Sequence, residues 1–490
     1  MKILVANRGE IAVRIMRTCR EMGIPSVAVY SEADAGALHV LTADETVAIG
    51  PAEPARSYLD IDRILAAAKE TGATAIHPGY GFLAENPTFA ARCAEAGITF
   101  IGPPARVIED LGNKVTARAI MTAAGIPVVP GGMASAEETP PPLAEGLDFP
   151  LLIKAAAGGG GKGMRIVERP EAFPHAWQSA RREAAQAFGD PTLYVERFFA
   201  RPRHIEVQIL ADTHGNTIHL FERECSIQRR HQKIVEETPA PNLSPALRDR
   251  ILEAAVAVAR ASGYVNAGTV EFLVAETGEF YFLEVNTRLQ VEHPITEATT
   301  GIDLVRQQIE IAQGKPLRYR QEHIGRRGHA IECRIYAEDP AEDFIPSPGR
   351  ILAFAEPTGP GLRNDCGVRA GCEVPIHYDP ILSKLIAFAE DRGCAIDRMI
   401  AALERYVVLG VRTPIPFLID LLRLPTFREG KLHTGFIEAE LPGWRQEDRD
   451  AEIALLACAL DRSTRPRRET PAAEHRSLIT PWDRLGRWRG

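Results

Sequence analysis

Five glycines fall within the six residues Gly158-Gly159-Gly160-Gly161-Lys162-Gly163, and their surroundings exclude the commonest glycine-loop folds. Gly158, Gly160 and Gly163 match a GxGxxG spacing, but a dinucleotide fold needs a helix directly after it. Here Met164-Arg165-Ile166-Val167 follows, which predicts a strand. A P-loop is excluded too, because Gly163 rather than Ser or Thr follows Lys162, and Ala156 holds the first glycine position. What remains is a glycine-rich hairpin, Leu151–Lys154 outward and Met164–Val167 back. Such glycines let backbone amides approach phosphates, and Lys154 and Lys162 add positive charge. A plain surface hairpin would not need two lysines and five glycines within ten residues.

The rest of the chain reads as α/β at its start and α+β overall. Ile3–Ala6 is an apolar run, followed by Ile11, Ile15, Cys19 and Met22 at helical spacing and then by the strand-like Ser26–Tyr30. This βαβ pattern continues to about residue 110 and predicts an open parallel sheet. Thr74-Ala75-Ile76 predicts another strand, leading into the loop His77-Pro78-Gly79-Tyr80-Gly81, where such sheets meet ligands. Thr139-Pro140-Pro141-Pro142 predicts a surface loop inside the second domain. Strand-rich sequence runs from Pro150 to Val285, and a third block opens with the strand-like His329–Tyr336. At ~100–200 residues per domain, the expected divisions are 1–112, 113–325, 326–444, and a tail 445–490. In the tail, Asp448–Asp461 predicts a short amphipathic helix on Ile453, Leu456, Ala457 and Leu460, and the Arg-rich Asp461–Ser477 a linker. A tail packed on its own domain and a docking segment for a partner both stay open.

A net charge of -8 excludes a global basic surface for nucleic acid. No stretch approaches the ~18 apolar residues of a membrane span, and the opening apolar run is too short for a signal peptide. Eight cysteines without a CxxC pair suggest neither a disulfide scaffold nor structural zinc. Free thiols are expected at Cys366 and Cys372, and the expected location is the cytoplasm.

Thr269–Val274 and Phe280–Val285 read as strands flanking Thr277-Gly278. If those two residues form a tight hairpin turn, Glu271 and Glu284 face each other across the ladder. Directly opposed carboxylates repel, and a divalent cation of the Mg²⁺ or Mn²⁺ type would relieve the repulsion. Asn286 lies on the same face as Glu284 and is a candidate third ligand. The polar run Thr287-Arg288-Leu289-Gln290-Val291-Glu292-His293-Pro294 that follows argues against a merely solvated face. Gln228-Arg229-Arg230-His231-Gln232-Lys233 is a compact basic run without interleaved aromatics, which favours an internal anion site over nucleic acid.

The sequence resembles the biotin carboxylases, ATP-grasp enzymes, over about residues 1–440. The resemblance rests on Ala6–Ala12, His77–Leu83, Gly158–Met164, Glu224–Lys233, Glu284–Pro294 and Glu332-Cys333-Arg334. It implies a pre-ATP-grasp parallel-sheet domain, an ATP-grasp domain with a glycine-rich lid at about 130–200, and a β-rich C-terminal domain. It further implies that Lys114, Lys154 and His204 contact ATP, with Gln228 and His231, under a lid containing Gly158–Gly163. Glu196, Arg197 and Phe198 would line the adenine pocket, and Glu271 and Glu284 would bind two Mg²⁺ or Mn²⁺ ions with ATP. Lys233, Arg288, Gln290 and the Val291 backbone would hold bicarbonate. Glu292, expected beside Arg288, would be the general base, and Tyr80 and Arg334 would sit by the biotin ring.

By the same resemblance the chain is a homodimer, with Arg17 and Glu21 at family dimer positions. Arg369, Cys372 and His377 depart from the acidic and aromatic residues that relatives carry there. The only Met-Lys pair is Met1-Lys2, so no Ala-Met-Lys-Met biotinylation site exists. The expectation is therefore that a biotin carrier protein and a carboxyltransferase act in trans, as in acetyl-CoA, acyl-CoA or pyruvate carboxylase complexes. Two rival readings are another ATP-grasp carboxylate ligase and a nucleotide-binding subunit without activity.

Overall fold

A computed structural model describes residues 1–134, 147–155, 164–188, 191–230, 232–446 and 451–464. The proline run 140–142, the glycines 158–161 and 163, Lys162, His231 and the Arg-rich linker from 465 lie outside the described residues. Met1–Trp444 form one unit and Arg445–Gly490 another. In the second, Ala451–Thr464 is helical, and Leu455, Leu456 and Leu460 are exposed.

The first unit opens with a five-stranded parallel sheet. Its order is Glu45–Gly50, Ser26–Ser31, Ile3–Val5, Ala75–His77, Thr99–Phe100. Alternate strand residues serve opposite faces. Ile3, Val5, Ala28 and Ala75 pack with Ile11, Ile15 and Cys19 of helix Gly9–Glu21. Leu4, Val27, Val29 and Ile76 pack with Ile64, Leu65 and Phe89 of helices Ile61–Thr71 and Pro87–Glu95. The apolar pattern of a doubly wound sheet is thereby satisfied on both sides, and the His77–Gly81 loop leaves the carboxyl edge.

A four-stranded sheet follows, ordered Gly131–Ala134, Leu193–Arg197, Leu151–Ala155, Arg165–Val167, with Trp177 of helix Phe173–Phe188 buried in its core. Leu151–Ala155 pairs antiparallel with Arg165–Val167, as the glycine-rich hairpin requires.

The third layer is an eight-stranded sheet in which every pairing is antiparallel. Its order is Phe280–Asn286, Asn266–Val274, Arg203–Ala211, Thr217–Arg229, Gln232–Thr238, His329–Tyr336, Ile381–Ala389, Leu362–Cys366. Helix Pro245–Ala261, capped by Ser244, covers one part, and helices Arg392–Leu403 and Ile415–Arg423 cover another. Among the described residues no helix is long and apolar enough to cross a membrane.

The hairpin 266–286 reaches the expected pairing by an unexpected route. Its turn is not the two-residue Thr277-Gly278. The Ala275 N–H donates to Glu279 O and the Gly278 N–H to Ala275 O, closing a three-residue loop with Gly278 at φ +86. That is the type I turn plus left-handed residue that three-residue hairpins use. It shifts the ladder by one position, and a bulge between Glu271 and Phe272 shifts it back. Glu271 therefore does stand opposite Glu284.

Candidate active site

Alternation along Arg203–Ala211 sends Ile205, Val207 and Ile209 into the core and His204, Glu206 and Gln208 to the other face. Glu206 and Gln208 are fully buried there, so their polar groups need partners. The buried Arg223 supplies them. It donates to Glu206, to Gln208 Oε1 at 2.8 Å, to Thr296 Oγ1 at 2.9 Å and to Thr269 Oγ1 at 3.0 Å.

Lys233 reaches into this layer and donates to three carboxylates: Glu206 at 2.5 Å, Glu271 at 2.8 Å and Glu292 at 2.7 Å. Burial alone would lower its pKa, but the three anions hold it well above the usual lysine value. Glu292 Oε2 accepts from Arg334 at 3.0 Å. Lys233 and Arg334 outweigh burial and keep Glu292 well below the ordinary carboxylate pKa. Arg334 is gripped from its other side by Glu236 Oε1 at 2.6 Å.

Arg288 is not the direct partner of Glu292 that the sequence suggested. Its Nε donates to Glu85 Oε2 at 2.9 Å, and its terminal nitrogens donate to Asn286 Oδ1 at 2.9 Å and Gln290 Oε1 at 2.7 Å. The physical reason is local. Glu292 turns inward at the start of helix His293–Thr300, whereas Glu85 caps the Thr287 N–H at 3.0 Å and draws Arg288 outward.

These groups line or back a cavity of about 1240 Å³. Tyr80, Gln228, Arg288, Gln290, Val291 and Arg334 line it, while Glu292 is fully buried behind its wall. Tyr80 donates its hydroxyl to Glu10. Toward the four-stranded sheet the lining includes Lys114, Lys154, Glu196, Arg197 and Phe198. Lys154 and Glu196 form an ion pair, the Arg197 guanidinium lies 5.1 Å over the Phe199 ring, and the Phe198 N–H donates to Pro150 O at 3.0 Å. Burial, and then Lys154, lower the Lys114 pKa.

Glu271, Glu284 and Asn286 all line the cavity. Glu271 accepts from Lys233, from Asn286 Nδ2 at 2.9 Å and from Gln290 Nε2 at 3.3 Å, and His204 Nε2 lies 3.0 Å from its other oxygen. His204 is held above its ordinary pKa because Glu271 outweighs burial. The Glu284 carboxylate accepts no hydrogen bond among the described residues. Withdrawal from bulk water in the cleft, and then the Glu271 charge, raise its pKa. Two facing carboxylates, one without a donor, beside an amide oxygen are a hard-oxygen set that fits Mg²⁺ or Mn²⁺.

Glu85, Glu206, Arg223, Glu236, Glu10 and Lys384 are site residues that the sequence reading missed. The polar stripe His204-x-Glu206-x-Gln208 between apolar residues was a usable signal for Glu206. The others come from strands and loops distant in sequence and carried none.

Residues 1–108 match the biotin carboxylase N-terminal domain, 113–320 the carbamoyl-phosphate synthase L chain ATP-binding domain, and 332–439 the biotin carboxylase C-terminal domain. A pyruvate carboxylase subunit of Methanothermobacter thermautotrophicus is 55% identical over 440 residues, 89% of this chain and 89% of that one. The biotin carboxylase of Nostoc sp. is 51% identical over 439 residues, 89% of this chain and 98% of that one. The solved biotin carboxylase domain dimer of Hydrogenobacter thermophilus 2-oxoglutarate carboxylase, in complex with MgADP, ADP and bicarbonate, superposes with a TM-score of 0.86 at 46% identity, over 91% of this chain and 99% of that one. With its ATP-grasp fold and these relatives, the chain belongs to the biotin carboxylase family.

Proposed function

We propose that the chain uses ATP and bicarbonate to carboxylate biotin borne on a separate carrier protein, within a biotin-dependent carboxylase complex. The observation that carries this reading is the Lys233–Glu292–Arg334 contact behind a cavity that also holds the Glu271–Glu284 pair. Lys114, Lys154 and His204, with Gln228, His231 and the glycine lid, would hold the ATP phosphates, and Glu196, Arg197 and Phe198 the adenine. Glu271, Glu284 and the Asn286 oxygen would hold two Mg²⁺ or Mn²⁺ ions, which when bound neutralise charge on the phosphates.

Bicarbonate would lie between Lys233, Arg288, Gln290 and the Val291 N–H. Glu292 then takes its proton. Held at low pKa, Glu292 is an anion at neutral pH and ready to accept. An arriving anion competes with Glu292 for the Lys233 hydrogens, which raises the basicity of Glu292 when the proton must move. The bicarbonate oxygen bonds to the γ-phosphorus and ADP leaves. The resulting carboxyphosphate splits its carboxyl C–O bond to CO₂ and phosphate. Phosphate removes the ureido N–H proton, Arg334 steadies the enolate beside Tyr80, and the biotin nitrogen bonds to CO₂.

We infer a homodimer, like the Hydrogenobacter relative, with carrier and carboxyltransferase in trans. Arg17, at the expected dimer face, here pairs with Asp365 at 3.3 Å. ATP as substrate and the described cysteines, all free thiols, favour the cytoplasm.

The test is phosphate release from ATP with Mg²⁺ and free biotin, with and without bicarbonate. Release is expected to require bicarbonate, to rise with biotin and to fall roughly 10²-fold or more in Glu292→Gln. Release indifferent to bicarbonate and biotin would point to another ATP-grasp ligase. No release, even with a biotinylated carrier, would point to a subunit without activity.

A further inference from the structure

Lys384 is a lysine with no exposed side-chain surface, so its ammonium must be fully committed. Its Nζ donates to the Val291 carbonyl at 2.7 Å and lies 3.3 Å from Glu10 Oε2. Glu10, also fully buried, accepts the Tyr80 hydroxyl on its other oxygen. The Tyr80 ring centroid is 6.0 Å from the same ammonium. Strand Ile381–Ala389, which carries the cation, thus meets three distant segments there: the start of the first helix, the loop after strand Ala75–His77, and the loop before helix His293–Thr300.

The place where this cation acts is specific. Lys384 is the ladder partner of Arg334 on the neighbouring strand, so the two side chains run side by side. Arg334 takes the Glu292 carboxylate, and Lys384 takes the carbonyl one peptide earlier. The Val291–Glu292 peptide is where a loop becomes helix His293–Thr300, and Glu292 is the residue just before that helix. Its orientation sets both the direction of the Glu292 side chain and the course of Arg288–Val291 along the cavity. A single carbonyl held by a buried ammonium fixes that peptide more firmly than a neutral hydrogen bond would.

We propose that Lys384 is a positioning residue for the bicarbonate site, pinning the Val291–Glu292 peptide and tying it through Glu10 to Tyr80 at the cavity wall. The inference rests on the biotin carboxylase reading above. Fully buried, Lys384 touches no substrate. Its effect is transmitted by the Val291 carbonyl, so it should fall on bicarbonate and leave the ATP end of the cavity alone.

The experiment compares the full chain with Lys384→Met and with the double variant Glu10→Gln/Lys384→Met. Methionine keeps the volume but removes the donor, and the double variant spares the fold an uncompensated buried carboxylate. Steady-state phosphate release is measured against bicarbonate and, separately, against ATP. The expected result is a bicarbonate KM raised roughly tenfold to a hundredfold, the scale of a lost charge-assisted hydrogen bond, with the ATP KM within about twofold of the parent. Glu10→Gln alone keeps the Val291 contact and is expected to lie between parent and double variant. An unchanged bicarbonate KM in a folded variant would overturn the proposal. So would equal increases in both KM values, or loss of fold in single and double variants alike, since each marks a merely structural lysine. A parent chain without bicarbonate-dependent release would instead sink the function reading, and this inference with it.

Discussion

Arg334 is held between two carboxylates that differ in kind. Glu292 is kept anionic by Lys233 and Arg334, whereas burial pushes Glu236 up to about 7. Arg334 works against that rise, and the nearby Glu292 charge adds to it. Glu332, the ladder partner of Glu236, is also buried, and neither of its oxygens nor Glu236 Oε2 finds a hydrogen-bond partner among the described residues. The groups facing Glu236 are therefore Arg334, Glu292, Lys233 and Glu332. Protonation as pH falls through about 7 weakens its hold on the Arg334 Nε. The expected outcome is an acidic limb near pH 7 in kcat for biotin carboxylation. In Glu236→Gln that limb disappears and the plateau drops about tenfold, the scale of one charge-assisted hydrogen bond. A pH–rate series on both proteins decides it, and a limb that persists in the variant would assign it to another group. At this scale compact polar runs pointed to Lys233 and Glu292, whereas Arg334, inside the strand His329–Tyr336, was singled out by the family resemblance alone. Glu236, Glu85 and Lys384 were not, because their roles come from partners 98, 203 and 93 residues away, and no local pattern encodes that register.

Strands and turns were legible to the extent that their determinants are local. The strands read at Thr269–Val274 and Phe280–Val285 are present as Asn266–Val274 and Phe280–Asn286, and the missing helix after Gly163 marked a hairpin rather than a nucleotide-binding βα turn. Turn length was misread, since Thr277-Gly278 suits both a two-residue turn and the last two positions of a three-residue one. The compensating bulge could not be read, because a bulge answers to packing across the sheet. The pairing of Gly131–Ala134 with Leu193–Arg197 is another non-local choice, and it carries a test. A Cβ on Gly131 would meet Val195 O at 2.3 Å and Glu196 Cα at 2.7 Å, which are backbone atoms that cannot swing away. Gly131→Ala must therefore part the two strands and displace Glu196, the partner of Lys154. The expected change is a rise of about tenfold in the ATP KM with a much smaller change for bicarbonate, read from the same kinetic assay; strain of ~1–3 kcal/mol is the scale for such overpacking. Equal effects on both substrates would mean that the sheet relaxes as a whole.

Across the first unit, cohesion depends on charges that must stay ionised and rings that must stay neutral. Arg14 of the first helix donates to Glu297 at 2.8 Å and Asp303 at 3.0 Å, and Arg363 joins Glu297 at 2.7 Å to Asp365 at 2.6 Å. The arginines outweigh burial and hold Glu297 and Asp365 below their ordinary pKa, so this contribution is present above ~4 and is lost as pH falls further. Histidines set an earlier limit. Burial lowers His39 to about 4 and His77 to about 3. The unfolded chain takes up those protons first, near 6.5, so stability declines as pH falls from there toward the folded values. For each ring the loss at pH 5 is ~2 kcal/mol. His39 offers the cleaner test, because it is fully buried and its ring is held by no more than a weak contact with the Val29 backbone. A leucine there gives up only that weak contact and cannot take up a proton. His39→Leu is expected to match the parent Tm within a few degrees at pH 7.5 and to exceed it at pH 5, flattening the dependence between them. Thermal unfolding at both pH values reads this directly. Parallel Tm–pH curves would show that His39 is not among the groups that destabilise the fold in mild acid.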